Sequence, residues 1–277
     1  MIGHTSANTR VRQPAVAGLF YPQEEAQLRA EVRQLLKEGP ARAHAPGGPS
    51  RPNAKALIVP HAGYVYSGSV AAAAYAQLAA RRADISRVVL IGPSHRIYFR
   101  GIALPEAAAF STPLGSIRVD AAARAALVAR GDVLVSDEPH ALEHCLEVQL
   151  PFLQVLLEDF TIVPLVVGVA SPQHVSGVLA EVWGGPETLV LASSDLSHYH
   201  SYAAAQQLDQ QTAAAILARR NDLDGEQACG AAAINGLLTR AQQLDLQVQE
   251  LARLNSGDTA GDRARVVGYG AYALFDA

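Results

Sequence analysis

The chain carries only two cysteines, Cys145 and Cys229, in 277 residues, too few for a disulfide framework. Lysine is almost absent: Lys37 and Lys55 stand alone among abundant arginine and alanine, a composition bias that carries no chemistry. Charged residues make up 17% of the chain and the formal net charge is −4, so nothing pulls it as a whole towards nucleic acid or an anionic membrane. The pairs Arg81-Arg82 and Arg219-Arg220 read as helix-end charges. No apolar run is long enough to span a bilayer, and the opening MIGHTSANTRVRQ has no hydrophobic core of a secretory signal. A reduced cytoplasmic protein without nucleic-acid or membrane partners is the expectation. Also missing are a Walker-type phosphate loop, a dinucleotide fingerprint, a Gly-x-Ser-x-Gly elbow and a Cys-x-x-Cys pair. Nine histidines without those motifs point to metal or acid–base chemistry.

What is present is apolar: 49% of residues are hydrophobic, enough for a large core. Strand-like runs alternate with helical periodicity, and several strands are apolar throughout. That pattern predicts a three-layer α/β/α sandwich around a mainly parallel, mixed sheet in a single domain, 1–277. Residues 1–13 read as a flexible tail, and 40–54, rich in Pro and Gly, as a surface loop after a helix that Gly39-Pro40 ends. Asp120 is placed to cap a helix that Gly131 terminates, and Ser171-Pro172 to start another. Pro164 marks Thr161–Val167 as an edge strand or a bulged one.

Three of the strongest strands end in reactive residues. Ala56–Val59 runs into Pro60-His61-Ala62-Gly63-Tyr64, Arg87–Ile91 into Gly92-Pro93-Ser94-His95, and Thr188–Ala192 into Ser193-Ser194-Asp195-Leu196-Ser197-His198. Parallel strands share their carboxyl edge, so these loops can meet. A fourth cluster precedes a helix: His144 and Glu147, three apart, can share one face. Blander readings stand beside each of these. His61 and His95 could simply cap loops, and Asp195 could cap a turn. Tyr64 and Tyr66 could be rim packing. Cys145 and Cys229 could be small buried hydrophobes. His4, His44 and His174 read as solvated, while His140 and His200 lack a pattern that asks for function.

Taken in order, IVPHAGYVYSGS, VVLIGPSHR, EHCLEVQLPFLQ, FTIVPLVVG and SSDLSH resemble the Memo family (MEMO1-like), whose bacterial and archaeal members are the AmmeMemoRadiSam system protein B sequences. The likeness runs from about Val16 to Phe275 and includes the closing SGDTAGDRARVVGYGAYALF. It implies a fold related to class III extradiol dioxygenases of the LigB type. It places metal ligands at His61, His95 and Cys229, with Fe(II) or copper as the expected ion and zinc as a third choice. It sets Asp195 and His198 on one wall of a pocket, as acid–base candidates with Asp195 holding His198, and His144 with Glu147 on the other. Tyr64 and Ser94 are further pocket candidates. The implied function is a metal-dependent redox enzyme acting on an unknown small molecule, in a pathway with radical-SAM and AMMECR-type partners. The alternative is a non-catalytic adaptor that holds a peptide or anionic ligand in the same cleft. A thiolate replaces the usual carboxylate of the two-His-one-carboxylate set, so ring-cleaving dioxygenase activity does not follow from the fold alone.

Overall fold

The computed structural model describes residues 10–42 and 53–276. In chain order the elements are β1 (Val11–Arg12), α1 (Glu25–Arg42), β2 (Ala56–Val59), α2 (Tyr64–Tyr75), β3 (Arg87–Pro93), β4 (Ile102–Leu104), β5 (Ala109–Thr112) and β6 (Gly115–Arg118). These are followed by α3 (Ala121–Arg130), β7 (Leu134–Val135), α4 (Glu138–Ala141), α5 (Leu150–Leu156), β8 (Thr161–Val167) and α6 (Pro172–Glu181). The last are β9 (Thr188–Ser193), β10 (His198–His200), α7 (Tyr202–Leu217), α8 (Ala231–Gln243), β11 (Gln247–Asn255) and β12 (Val266–Phe275).

Nine strands form one sheet in the order β10-β12-β2-β9-β3-β8-β4-β7, with β11 also paired to β12. Its centre, β2-β9-β3-β8, is parallel, while β12 runs antiparallel to β2 and β4 antiparallel to β8. The side chains of this centre alternate between two cores, as strand pleating requires. Val88, Leu90, Leu57 and Val59 pack with residues of α1, α2 and α5. Val89, Ile91, Ala56 and Ile58 pack on the opposite face with residues of α3, α6, α7 and α8. A sheet buried on both faces explains why its strands are apolar throughout. The three-layer α/β/α sandwich with a mixed sheet is therefore what the chain adopts.

Local signals held where they depend on one or two residues. Asp120 accepts a hydrogen bond from the Ala123 N–H at the start of α3, and Gly131 closes that helix with φ +81°. Ser171 caps α6 by accepting from the His174 N–H. Four expectations need correction. Val11–Arg12 is not tail but a strand, paired parallel with β5 in a small separate sheet β1-β5-β6. Helix α1 continues past Gly39-Pro40 to Arg42, and 43–52 of the expected loop, like 1–9 of the expected tail, lie outside the described residues. Strand β8, with Pro164, is internal. Pro164 sits opposite Leu90 of β3, and on its other side β8 pairs with β4 only at Val166 and Val167, so the missing N–H interrupts no long ladder. The helix expected to follow Glu143 is a single 3-10 turn, Glu147–Gln149, leading into the short α5. Among the described residues no helix is long and apolar enough to cross a membrane.

Candidate metal centre

Strands β2, β9 and β3 lie side by side and parallel, so their carboxyl ends share one edge. Val59 pairs with Ser193, and the chains stay in register just beyond: the Ser194 N–H donates to the Val59 carbonyl, and the His61 N–H to Asp195 Oδ1 at 2.7 Å. β3 runs on to Pro93 and releases His95 beside them. The third group arrives from the segment before α8. The Gly230 N–H donates to Ser194 Oγ at 2.9 Å, and a Cβ at Gly230 would lie 2.7 Å from the Ser194 Cβ and 2.8 Å from the Ser193 carbonyl oxygen. Only glycine permits that approach. It sets Cys229 Sγ 3.2 Å from His61 Nε2, and the ligand atoms of His61, His95 and Cys229 all fall within 4.8 Å of one another.

Hydrogen bonding fixes which ring nitrogens are free. Ser193 donates its hydroxyl proton to the Cys145 carbonyl at 2.6 Å and accepts from Gln149 Nε2 at 2.9 Å. The 2.9 Å contact between Ser193 Oγ and His61 Nδ1 is therefore an Nδ1–H donating, which leaves a lone pair on His61 Nε2, beside Cys229. His95 Nδ1 lies 2.9 Å from Glu143 Oε1 and donates to it, so Nε2 is the nitrogen left to meet an ion.

Burial, with the neighbouring His95, lowers the His61 pKa to about 3, and burial with His61 lowers His144 to about 4. Burial, reinforced by Asp195, pushes the Cys229 thiol up to about 12. Burial is opposed at Glu143 by hydrogen bonds and charge from His95, which hold its carboxyl down to about 2. Without an ion, His61 and His144 are thus neutral imidazoles and Cys229 a neutral thiol. A divalent cation displaces the thiol proton on binding, and two imidazole nitrogens with one sulfur within mutual reach is a donor set that zinc, copper and iron accept.

The rings of His61, His95 and His144 form a cluster: His144 stacks on His95 at 4.9 Å and meets His61 edge-on at 5.4 Å, with Phe20 at 4.8 Å on its other side. They line a cavity of about 770 Å³ together with Asp195, His198, Tyr66, Tyr199, Arg96 and Arg265. His198 donates Nδ1–H to the Leu196 carbonyl at 2.9 Å, so its Nε2 is the nitrogen not held by the backbone. Asp195 does not hold His198 through a hydrogen bond as expected. It receives the His61 backbone N–H, and burial raises its pKa.

Three further site expectations meet a different geometry. Glu147 is wholly buried away from the cavity and takes the N–H groups of Ala15 and Val16, the Tyr21 hydroxyl at 2.6 Å and an ion pair with Arg12. It clamps the segment that carries Phe20, and it shares no helix face with His144, because the residues between them turn before the 3-10 turn begins. Tyr64 is buried with its hydroxyl on the Val148 carbonyl at 2.7 Å, and Tyr66 takes the place on the cavity wall. Ser94 donates to the Ile97 carbonyl and lines a smaller cavity of about 220 Å³, which Cys229 also borders. Cys145 is packed and donates to the Pro93 carbonyl, the small-hydrophobe reading. His140 contacts the Ala103 carbonyl, and His174 contacts the Asp132 carbonyl and carboxylate where solvation alone was expected. His4 and His44 lie outside the described residues. Sequence reasoning missed Glu143, Ser193 and Gln149, which orient the histidines. Glu143, directly before His144, was visible as a carboxylate beside a histidine, but the spacing argument favoured Glu147.

The family model described as "Memo-like protein" matches residues 12–273. A MEMO1 family protein of Metallosphaera sedula is 34% identical, covering 93% of this chain and 97% of that protein. One from Aeropyrum pernix is 36% identical, covering 94% and 98%. Among solved structures, the uncharacterized protein JW3007 from Escherichia coli K12 is similar with a TM-score of 0.49 and 13% identity, covering 79% of this chain and 98% of that one, a likeness that bears on neither the family nor the site. With nearly its whole length matched by the family and by relatives above 30% identity, the chain belongs to the Memo-like protein family.

Proposed function

We propose that the protein is a metal-dependent redox enzyme that holds Fe(II) or copper, with zinc as the redox-inert alternative, between His61, His95 and Cys229. The observation that carries this reading is the convergence of two Nε2 atoms and one sulfur at a strand edge, with His61 and His95 bordering a cavity large enough for a small organic substrate. A bound redox ion would supply electron transfer with dioxygen and Lewis-acid activation of substrate. The chain's own residues would do the rest. His61 and His95 position the ion, and His198, held on the cavity wall through Nδ1, handles a substrate proton through Nε2. His144 and Phe20 close one wall against water, and Asp195 keeps the His61 loop in place. Radical-SAM and AMMECR-type proteins are the proposed pathway partners, through the family likeness alone.

The test is metal analysis of anaerobically purified full-length protein, beside oxygen uptake after reconstitution. Wild type should hold about one iron or copper per chain, and His61→Ala and Cys229→Ala should lose it. Wild type that retains no redox metal and consumes no oxygen would sink the enzyme reading. Metal unchanged in Cys229→Ala would move the third ligand to Asp195, the buried carboxylate on the cavity beside His61.

A second reading has one observation in its favour. Arg96 and Arg265 border the cavity and, among the described residues, neither has a carboxylate partner, while Arg265 lies over the Tyr199 ring at 5.1 Å. Two such cations suit an adaptor that holds an anionic ligand. Binding of an anionic ligand that persists in metal-free protein and in Cys229→Ala would favour this reading.

A further inference from the structure

We infer that the two histidine ligands are backed unequally: Glu143 makes His95 the anchoring ligand, and the neutral Ser193–Gln149 pair leaves His61 the more easily displaced one. This rests on the metal-site reading above. Glu143 is committed chiefly to orienting its neighbours. Its buried carboxylate accepts the His95 backbone N–H at 2.6 Å, the His95 Nδ1–H at 2.9 Å, the His144 N–H at 2.9 Å and the Cys145 N–H at 3.0 Å. Three of these donors converge on Oε1 and one on Oε2, so the oxygen that meets the His95 ring is fully engaged. Glu143 therefore acts through His95, although His95, Glu143 and Cys145 also lie within mutual ligand distance.

A carboxylate that accepts an imidazole N–H draws that proton towards itself and enriches the opposite nitrogen, which strengthens it as a metal donor. The backing of His61 is different in kind. Ser193 Oγ is shared among the Cys145 carbonyl, the Gln149 amide and the His61 ring, at 2.6, 2.9 and 2.9 Å. Gln149 is held in turn by donating to the Pro60 carbonyl at 3.0 Å, one residue before His61. That arrangement sets the tautomer and the ring plane of His61 but places no charge behind it. The two ligands present the same tautomer with unequal basicity. An ion held there would be anchored more firmly by His95 than by His61.

The inference is tested on the full-length protein with Co²⁺ as the probe, its affinity measured by competition with a chelator and the cobalt–thiolate absorption reporting Cys229. Glu143→Gln should weaken Co²⁺ binding by about 10- to 100-fold, in the range set by carboxylate partners of metal-bound histidines, with Ser193→Ala costing less than tenfold. Glu143→Asp should recover part of the loss, and the absorption band should survive in Ser193→Ala. Melting of the metal-free variants runs in parallel. Equal losses in Glu143→Gln and Ser193→Ala, or a Glu143→Gln loss that only tracks lost fold, would overturn the inference. A measurement on wild type stands independent of variant folding: in Zn²⁺-loaded protein the His95 Nδ1 proton should resonate downfield of the His61 Nδ1 proton. The reverse order overturns the inference while leaving the metal site intact. Wild type that shows no cobalt–thiolate band removes the metal reading itself.

Discussion

Strand β2 has a buried polar cluster at each end, and the two are built on opposite terms. At its amino end Lys55 is almost inaccessible, and its ammonium donates to the carbonyls of Trp183, Gly185 and Thr188 at 2.7, 2.8 and 2.8 Å, with Gly184 at 3.3 Å. Arg81, expected as a helix-end charge, is buried next to it and donates to the Ala54 and Pro186 carbonyls. The side-chain bonds made there all go to backbone carbonyls. At the carboxyl end, six residues on, His61 is equally buried but commits only Nδ1 to the scaffold and turns Nε2 to Cys229, and His95 likewise commits Nδ1 to Glu143. A buried polar group with all its hydrogen-bonding capacity consumed is a brace. One that keeps a lone pair aimed at like-minded neighbours is a site. Glu147 belongs with Lys55 by this measure, despite lying in sequence among the site residues.

The comparison is broken most directly at Glu147. Glu147→Gln leaves Arg12 buried without its counter-charge and should cost about 3–5 kcal/mol of stability, seen as a large fall in denaturation midpoint. Metal content per folded molecule should stay that of wild type. Loss of metal at unchanged stability would return Glu147 to the site. Next in size is Lys55→Met, which strands several inward carbonyls at about 1–3 kcal/mol for each left unsatisfied, again without touching metal occupancy. A Lys55→Met protein as stable as wild type would remove the contrast between the two ends.

The smallest effect concerns acid. His61, His140 and His144 have folded pKa values lowered by burial to about 3, 4 and 4, whereas an exposed imidazole titrates near 6.5. On acidification the unfolded chain takes up these protons first, so metal-free protein should lose stability as the pH falls from about 6.5 towards 4. His140 lies outside the metal centre, so His140→Gln should flatten that slope in part while leaving metal binding unchanged. Denaturant titrations at stepped pH would show it, and a slope identical to wild type would assign the acid sensitivity to other groups.

Much of the architecture was legible because it depends on short-range pattern. Apolar runs of strand length, Asp120 and Gly131 around α3, and Ser171 before α6 each act through a few neighbouring residues, and each appears as expected. The strand-end positions of His61, His95 and Asp195 followed from the rule that parallel strands expose their reactive loops on one edge. The weak spots share a cause. Val11–Arg12 looked like tail because a two-residue strand has no pattern of its own and exists only through β5, about a hundred residues away. Pro164 looked like an edge residue because sequence shows the missing N–H but not which neighbour would have needed it.

The residues that chain order alone supplied are the strand-end histidines, the Ser-Ser-Asp turn and a cysteine before a helix, together with the alternating apolar code for a doubly covered sheet. Tertiary structure alone decided which of two carboxylates four residues apart serves the site. Glu143 and Glu147 are chemically identical and equally buried, and only the backbone path between α4 and α5 turns one onto His95 and the other onto Arg12. Hydrogen-bond capacity is spent on whatever groups the fold brings within 3 Å, and that distance is set by the packing of elements far apart in the chain, not by spacing along it.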